Sequence, residues 1–152
     1  MSSSTSAYAS FRQRLFAVIA DAVFLTAITL PLTLAIYGSD YFTDAEHAGS
    51  FGSFAINWLL PALLTIGFWV TLGATPGKLV AGIRVVDANT GDPLNVFQAV
   101  IRYVGYFVSA LPLLLGYFWM LRTPRKQTWH DLLAKSVVVR RAALNNAHER
   151  QD

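Results

Sequence analysis

Three stretches of this sequence are too apolar and too long to fit the interior of so short a chain. Leu15–Tyr37 reads LFAVIADAVFLTAITLPLTLAIY, with Asp21 as its only charge. About 20 apolar residues cross the hydrocarbon core of a bilayer, so this stretch spans it with some tilt. Phe54–Ala74, FAINWLLPALLTIGFWVTLGA, has no charge at all. Its Pro61 and Gly67 are of a kind tolerated in membrane helices. Val96–Leu121 is also apolar, with Arg102 near its start and Pro112 and Gly116 in its second half. It reads either as one kinked crossing or as two shorter helices folded back as a hairpin. The expected fold is an all-α integral membrane protein of three to four transmembrane or re-entrant helices.

Composition agrees. Charged residues are 14% of the 152, against about 25% in soluble globular chains, and a soluble surface needs charge. The absence of cysteine excludes disulfides and Cys-based metal sites. A net charge of +3 is no nucleic-acid footprint. A cleaved leader is a poor reading of the first segment, because Asp21 interrupts it and no small-residue cleavage motif follows. There is no Gly-rich phosphate loop, no paired His at ligand spacing and no Ser nucleophile elbow, so neither an enzyme nor a cofactor is expected.

Between the apolar regions, Ile83–Asp87 (IRVVD) and Ser136–Arg140 (SVVVR) are β-prone. They read as a small two-stranded cytoplasmic element or, equally, as helix extensions. Residues 1–10 and 142–152 read as polar tails flanking one membrane domain over 11–141. Tyr37, Tyr41, Trp58, Trp69, Tyr117 and Trp119 suit interfacial anchoring.

Charge placement predicts the topology. Arg12 and Arg14 precede the first helix, and the loop Gly38–Ser53 has no Lys or Arg. The positive-inside rule then puts the N-terminus in the cytoplasm of a multi-pass cell-membrane protein. A hairpin at Pro112 keeps Arg122, Arg125, Lys126 and Lys135 on that same side, and a single crossing does not. The hairpin is therefore the favoured reading.

Asp21 is the leading site candidate. It lies six residues past Leu15, about 9 Å into the helix, where an ionised carboxylate is expensive unless it pairs or takes up a proton. Arg14, two turns earlier on the same face, is expected to share a polar network with it through water or a third residue. Arg102 is the expected direct partner, and Asn57 is expected to join by hydrogen bonding. His130 and Asp131 offer a polar pair, with Asp131 near a helix start capped by Thr128. Asp87 reads as a turn residue. The competing reading makes these charges structural.

Together these residues resemble the RDD family of membrane proteins. Arg14 and Asp21 match its arginine and its first-helix aspartate. Pro76-Gly77-Lys78, Gly82-Ile83-Arg84-Val85-Val86, Arg102 and Trp129-His130-Asp131-Leu132-Leu133-Ala134 match its later motifs, with Asp131 as the second aspartate. Lys135-Ser136 stands where the family usually has Gly-Thr. The resemblance covers about residues 11–141. It implies transport of a small ligand, with cation/proton exchange as one such activity. The alternative is a non-transporting scaffold or accessory subunit. Three or four short helices enclose a pathway poorly, so besides the lipid bilayer the expected partner is a second copy or another membrane protein.

Overall fold

The computed structural model describes residues 7–148. The outer parts of both expected tails, residues 1–6 and 149–152, lie outside the described residues.

Helix α1, Phe11–Tyr37, starts on a reciprocal cap: the Gln13 amide N–H donates to Ser10 Oγ, and Gln13 Oε1 accepts from the Ser10 N–H at 3.1 Å. Only 6% of its most apolar stretch is buried within the protein. Leu15, Ile19, Val23 and Ile36 point outward, so much of the helix's exposed surface is apolar. Helix α2, Phe51–Leu72, contains a π turn at Ala55–Leu59. These two are long and apolar enough to cross a membrane. A third span exists if Val96–Ala110 (α4) and Leu115–Leu121 are taken together, but the two pieces meet at a bend of 110°.

Two short helical turns, Ser39–Phe42 and Ala45–Gly49, join α1 to α2, and the other elements gather around the sheet. Helix α3, Pro76–Val80, follows α2 and leads into β1, Ile83–Asp87. Helix α5, Leu115–Phe118, follows the bend, and helix α6, Trp129–Leu133, precedes β2, Ser136–Arg140. The strands pair antiparallel, from Ile83 opposite Arg140 to Asp87 opposite Ser136. Of the two readings of these runs, strand pairing is the one found. SVVVR is a continuous apolar run because both faces of the sheet are covered. Val85 and Val138 face the core with Ala17, Trp69, Leu94 and Ala99, while Val86, Val137 and Val139 pack under Tyr8 and Leu144.

This sheet constrains the path of the chain. Ala9 N–H donates to Val138 O and Arg140 N–H to Ala7 O, which fastens the start of the chain to β2. The expected 1–10 tail is therefore docked from Ala7 onward, and Ala9 is fully buried. The expected 142–152 tail begins as helix α7, Arg141–His148. The 110° bend between α4 and Leu115–Leu121 rules out a straight helix over 96–121, and both a broken span and a re-entrant loop fit it. Trp69 departs from the interfacial expectation: it is fully buried and stands edge-on to Tyr106.

Candidate functional site

Helical periodicity puts Arg14, Ala17 and Asp21 on one stripe of α1, and that stripe lies against α3. The approach is close enough to require glycine. A Cβ on Gly77 would collide with Ala17 O and lie 2.7 Å from Asp21 N, well inside contact distance. Asp21 uses this proximity. One carboxylate oxygen accepts from the Gly77 N–H at 2.7 Å and the other from the Thr75 hydroxyl at 2.5 Å. Asp21 therefore satisfies donors at the start of α3, where backbone N–H groups have no helical partners. Arg102 is not its partner, and no ion pair forms to Asp21 among the described residues. Asn57 is also elsewhere: the π turn of α2 holds it beside Thr33 and Tyr41, and its amide donates to Ser53 O at 3.1 Å.

Both arginines converge on Asp131 instead. Arg14 Nη1 donates to Asp131 Oδ2 at 2.6 Å, and Arg102 Nη1 donates to Oδ1. Asp131 Oδ2 also accepts from the Thr128 N–H at 3.0 Å, so the expected role at a helix start is present as a secondary one. Arg14 Nη2 donates to Lys126 O at 2.6 Å, and Arg102 Nη1 to Ser136 Oγ at 2.5 Å. Arg102 reaches this position because Ala99, Arg102, Gly105 and Ser109 form the buried stripe of α4. The triad clasps α1 and α4 to α6. Burial would raise the pKa of the Asp131 carboxyl, but Arg102 and Arg14 outweigh it and hold the group far below the usual carboxylate range.

His130 is packed against α4 where Gly105 leaves room; a Cβ there would lie 2.8 Å from His130 Cβ. The Ser109 hydroxyl accepts from the His130 N–H at 3.2 Å, which leaves its own proton for Nδ1 at 3.1 Å. The ring proton then sits on Nε2, 2.8 Å from Thr128 Oγ1. Burial pushes the imidazole well below its ordinary pKa. Asp131 opposes this, while Arg102, Arg14 and Lys78 add to it. Asp87 is the turn residue expected: it accepts from the Asn89 and Thr90 N–H groups and from the Gln98 side chain, with its pKa lowered first by Gln98.

A cavity of about 660 Å³ opens beside the triad. Its polar end is made by Arg14, Asp21, Lys78, Arg102 and His130, and its apolar end by residues such as Phe24, Leu25, Pro61 and Phe68. This size lies within the range of small-molecule sites. Lys78 and Trp69 were not among the site residues expected from the sequence. Lys78 is the only charge in the run Pro76–Ile83, and that local signal marked a helix boundary without revealing that the side chain turns inward.

The RDD family model matches residues 8–135. The chain is 31% identical over 87 residues to an uncharacterized protein of Rickettsia prowazekii, covering 57% of this chain and 48% of that protein. It is 30% identical over 69 residues to a proline-rich antigen homolog of Mycobacterium tuberculosis strain H37Rv, covering 45% of this chain and 29% of that one. The proline-rich antigen of Mycobacterium leprae matches at 29% over 89 residues, covering 56% and 36%. The chain thus spans half or less of the length of these relatives. No solved structure matches the chain.

Proposed function

The chain belongs to the RDD family, and from that premise we propose that it is a multi-pass cell-membrane protein that carries a small ligand across the bilayer through the cavity between α1, α2 and α4. The observation that carries this reading is the cavity itself, apolar where the long helices flank it and charged where α3 and α6 close it. Arg12, Arg14, Lys78 and Arg84 all belong to the end of the chain held by the sheet, which under the positive-inside rule supports a cytoplasmic N-terminus.

The cation/proton exchange version gives Asp21 the ion. It requires the carboxylate to release Thr75 and the start of α3, so exchange would be coupled to movement of α3 against α1. A second reading, a scaffold or accessory subunit, draws support from the triad, in which both arginines are bound by Asp131 inside the protein.

Proteoliposomes separate these readings. One arm measures proton flux under sodium or potassium gradients, and a second measures leaflet exchange of a fluorescent phospholipid. Flux above protein-free liposomes that falls in Thr65→Trp, which fills the cavity, is the expected result. Proton flux abolished by Asp21→Asn selects exchange. Flux in neither arm refutes transport and leaves the scaffold.

A further inference from the structure

The polar end of the cavity holds more hydrogen-bond donors than acceptors. Lys78 is 6% exposed and carries three donor protons, yet no carboxylate pairs with it among the described residues. Its polar neighbour is the Tyr106 hydroxyl at 3.5 Å, beyond the ordinary hydrogen-bond range, with the Trp69 ring 5.0 Å away. Trp69 is fully buried and its Nε1–H has no acceptor. Nε of Arg14 and Nε of Arg102 also lack one. All four residues line the cavity. Buried donors are normally satisfied, and a cluster of unsatisfied ones around one space is an exception with a direction. What is missing is an acceptor, and the charges give its sign: three cations, Arg14, Lys78 and Arg102, stand against two carboxylates, Asp21 on the lining and Asp131 bound behind the arginines, which leaves one positive charge uncompensated.

The other end fixes the rest of the ligand. From Arg14 to Leu25 the α1 wall rises about 16 Å, from guanidinium to wholly apolar lining. A small inorganic anion would occupy the charged end and leave Phe24, Leu25 and Phe68 facing empty space. A molecule with an anionic head and an apolar tail fills both.

We propose that this cavity is a binding site for an anionic phospholipid, its phosphate on Lys78 and the Trp69 N–H, its acyl chain along Phe24, Leu25 and Phe68. The inference rests on the cavity being the ligand site and is independent of whether the ligand then moves.

The test is native mass spectrometry of the full-length protein with phosphatidylglycerol and phosphatidylcholine of identical chains, and with inorganic phosphate as the head alone. Wild type should bind phosphatidylglycerol roughly tenfold more tightly than phosphatidylcholine. Lys78→Gln should abolish that preference while keeping phosphatidylcholine affinity, which also shows that the variant is folded. Lys78→Arg should restore the preference, and Lys135→Gln, exposed and away from the cavity, should leave it unchanged. Equal affinity for the two lipids, a preference that survives Lys78→Gln, or full competition by inorganic phosphate would each overturn the proposal. Flux without the lipid preference overturns the ligand class and leaves transport standing; the preference without flux overturns transport and leaves the ligand class.

Discussion

Replacing Asp131 with Asn should destabilise the protein more than replacing Asp21, although Asp21 is the acid inside the long apolar helix. Asp131 is fully buried and is the shared carboxylate partner of two arginines, one 1% and the other 11% exposed at the side chain. The amide that Asp131→Asn introduces keeps one acceptor oxygen and no charge, so two guanidiniums are left facing each other in a dry site. Breaking a buried ion pair from one side costs about 3–5 kcal/mol, because the orphaned charge stays buried. For Asp21→Asn the amide oxygen still accepts from one of its two donors, and one hydrogen bond to a charged acceptor is lost, about 1.5–3 kcal/mol. At about 2–4 °C per kcal/mol for a domain of this size, the melting temperature should fall by roughly 6–20 °C for Asp131→Asn and 3–12 °C for Asp21→Asn. Thermal unfolding in one detergent, read by intrinsic tryptophan fluorescence, measures both. A double-mutant cycle sharpens the result: Arg14→Gln should cost clearly less in the Asp131→Asn background than in wild type. The reasoning fails if Asp21→Asn destabilises as much as Asp131→Asn, or if the Arg14 and Asp131 effects simply add.

Two further outcomes follow from the same geometry. Gly77→Ala should lower stability by about 1–3 kcal/mol, since the new methyl must push α1 from α3, and the loss should shrink in the Asp21→Ala background if Asp21 is what holds the two together; the same unfolding assay reads it. Stability should also decline as pH drops below about 6.5, where the unfolded His130 takes up a proton that the folded imidazole refuses, with a slope of at most about 1.4 kcal/mol per pH unit. Asp131, with its folded pKa depressed, adds its own loss only below about pH 4. Denaturant titrations at pH 8, 6 and 5 on wild type and His130→Gln should show the upper window vanish in the variant.

The sequence by itself determined what depends on neighbours along the chain. Bilayer-length apolar runs with almost no charge specify α1 and α2, because in hydrocarbon only a helix satisfies every backbone group internally. The exact starts of α1 and α4, on the Ser10–Gln13 and Asn95–Gln98 caps, came from the structure, which begins α1 four residues before Leu15. The residues of the polar site were also legible: Arg14, Asp21 and Arg102 stand out as charges in or beside apolar segments, and the family resemblance adds Asp131. Their pairing was not. The sequence suggested Arg102 for Asp21, since both interrupt long apolar runs, whereas tertiary structure gives Arg102 to Asp131 and Asp21 to the start of α3. The physical reason is separation. Arg14 and Asp131 are 117 positions apart, and no periodicity carries information over that distance. The choice is made by packing: Gly77 lets α3 come close enough to occupy Asp21, and the β1–β2 pairing carries α6 back beside α1 and α4. The same packing turned Lys78 and Trp69 inward, and so made the cavity whose unmet donors only the folded chain displays.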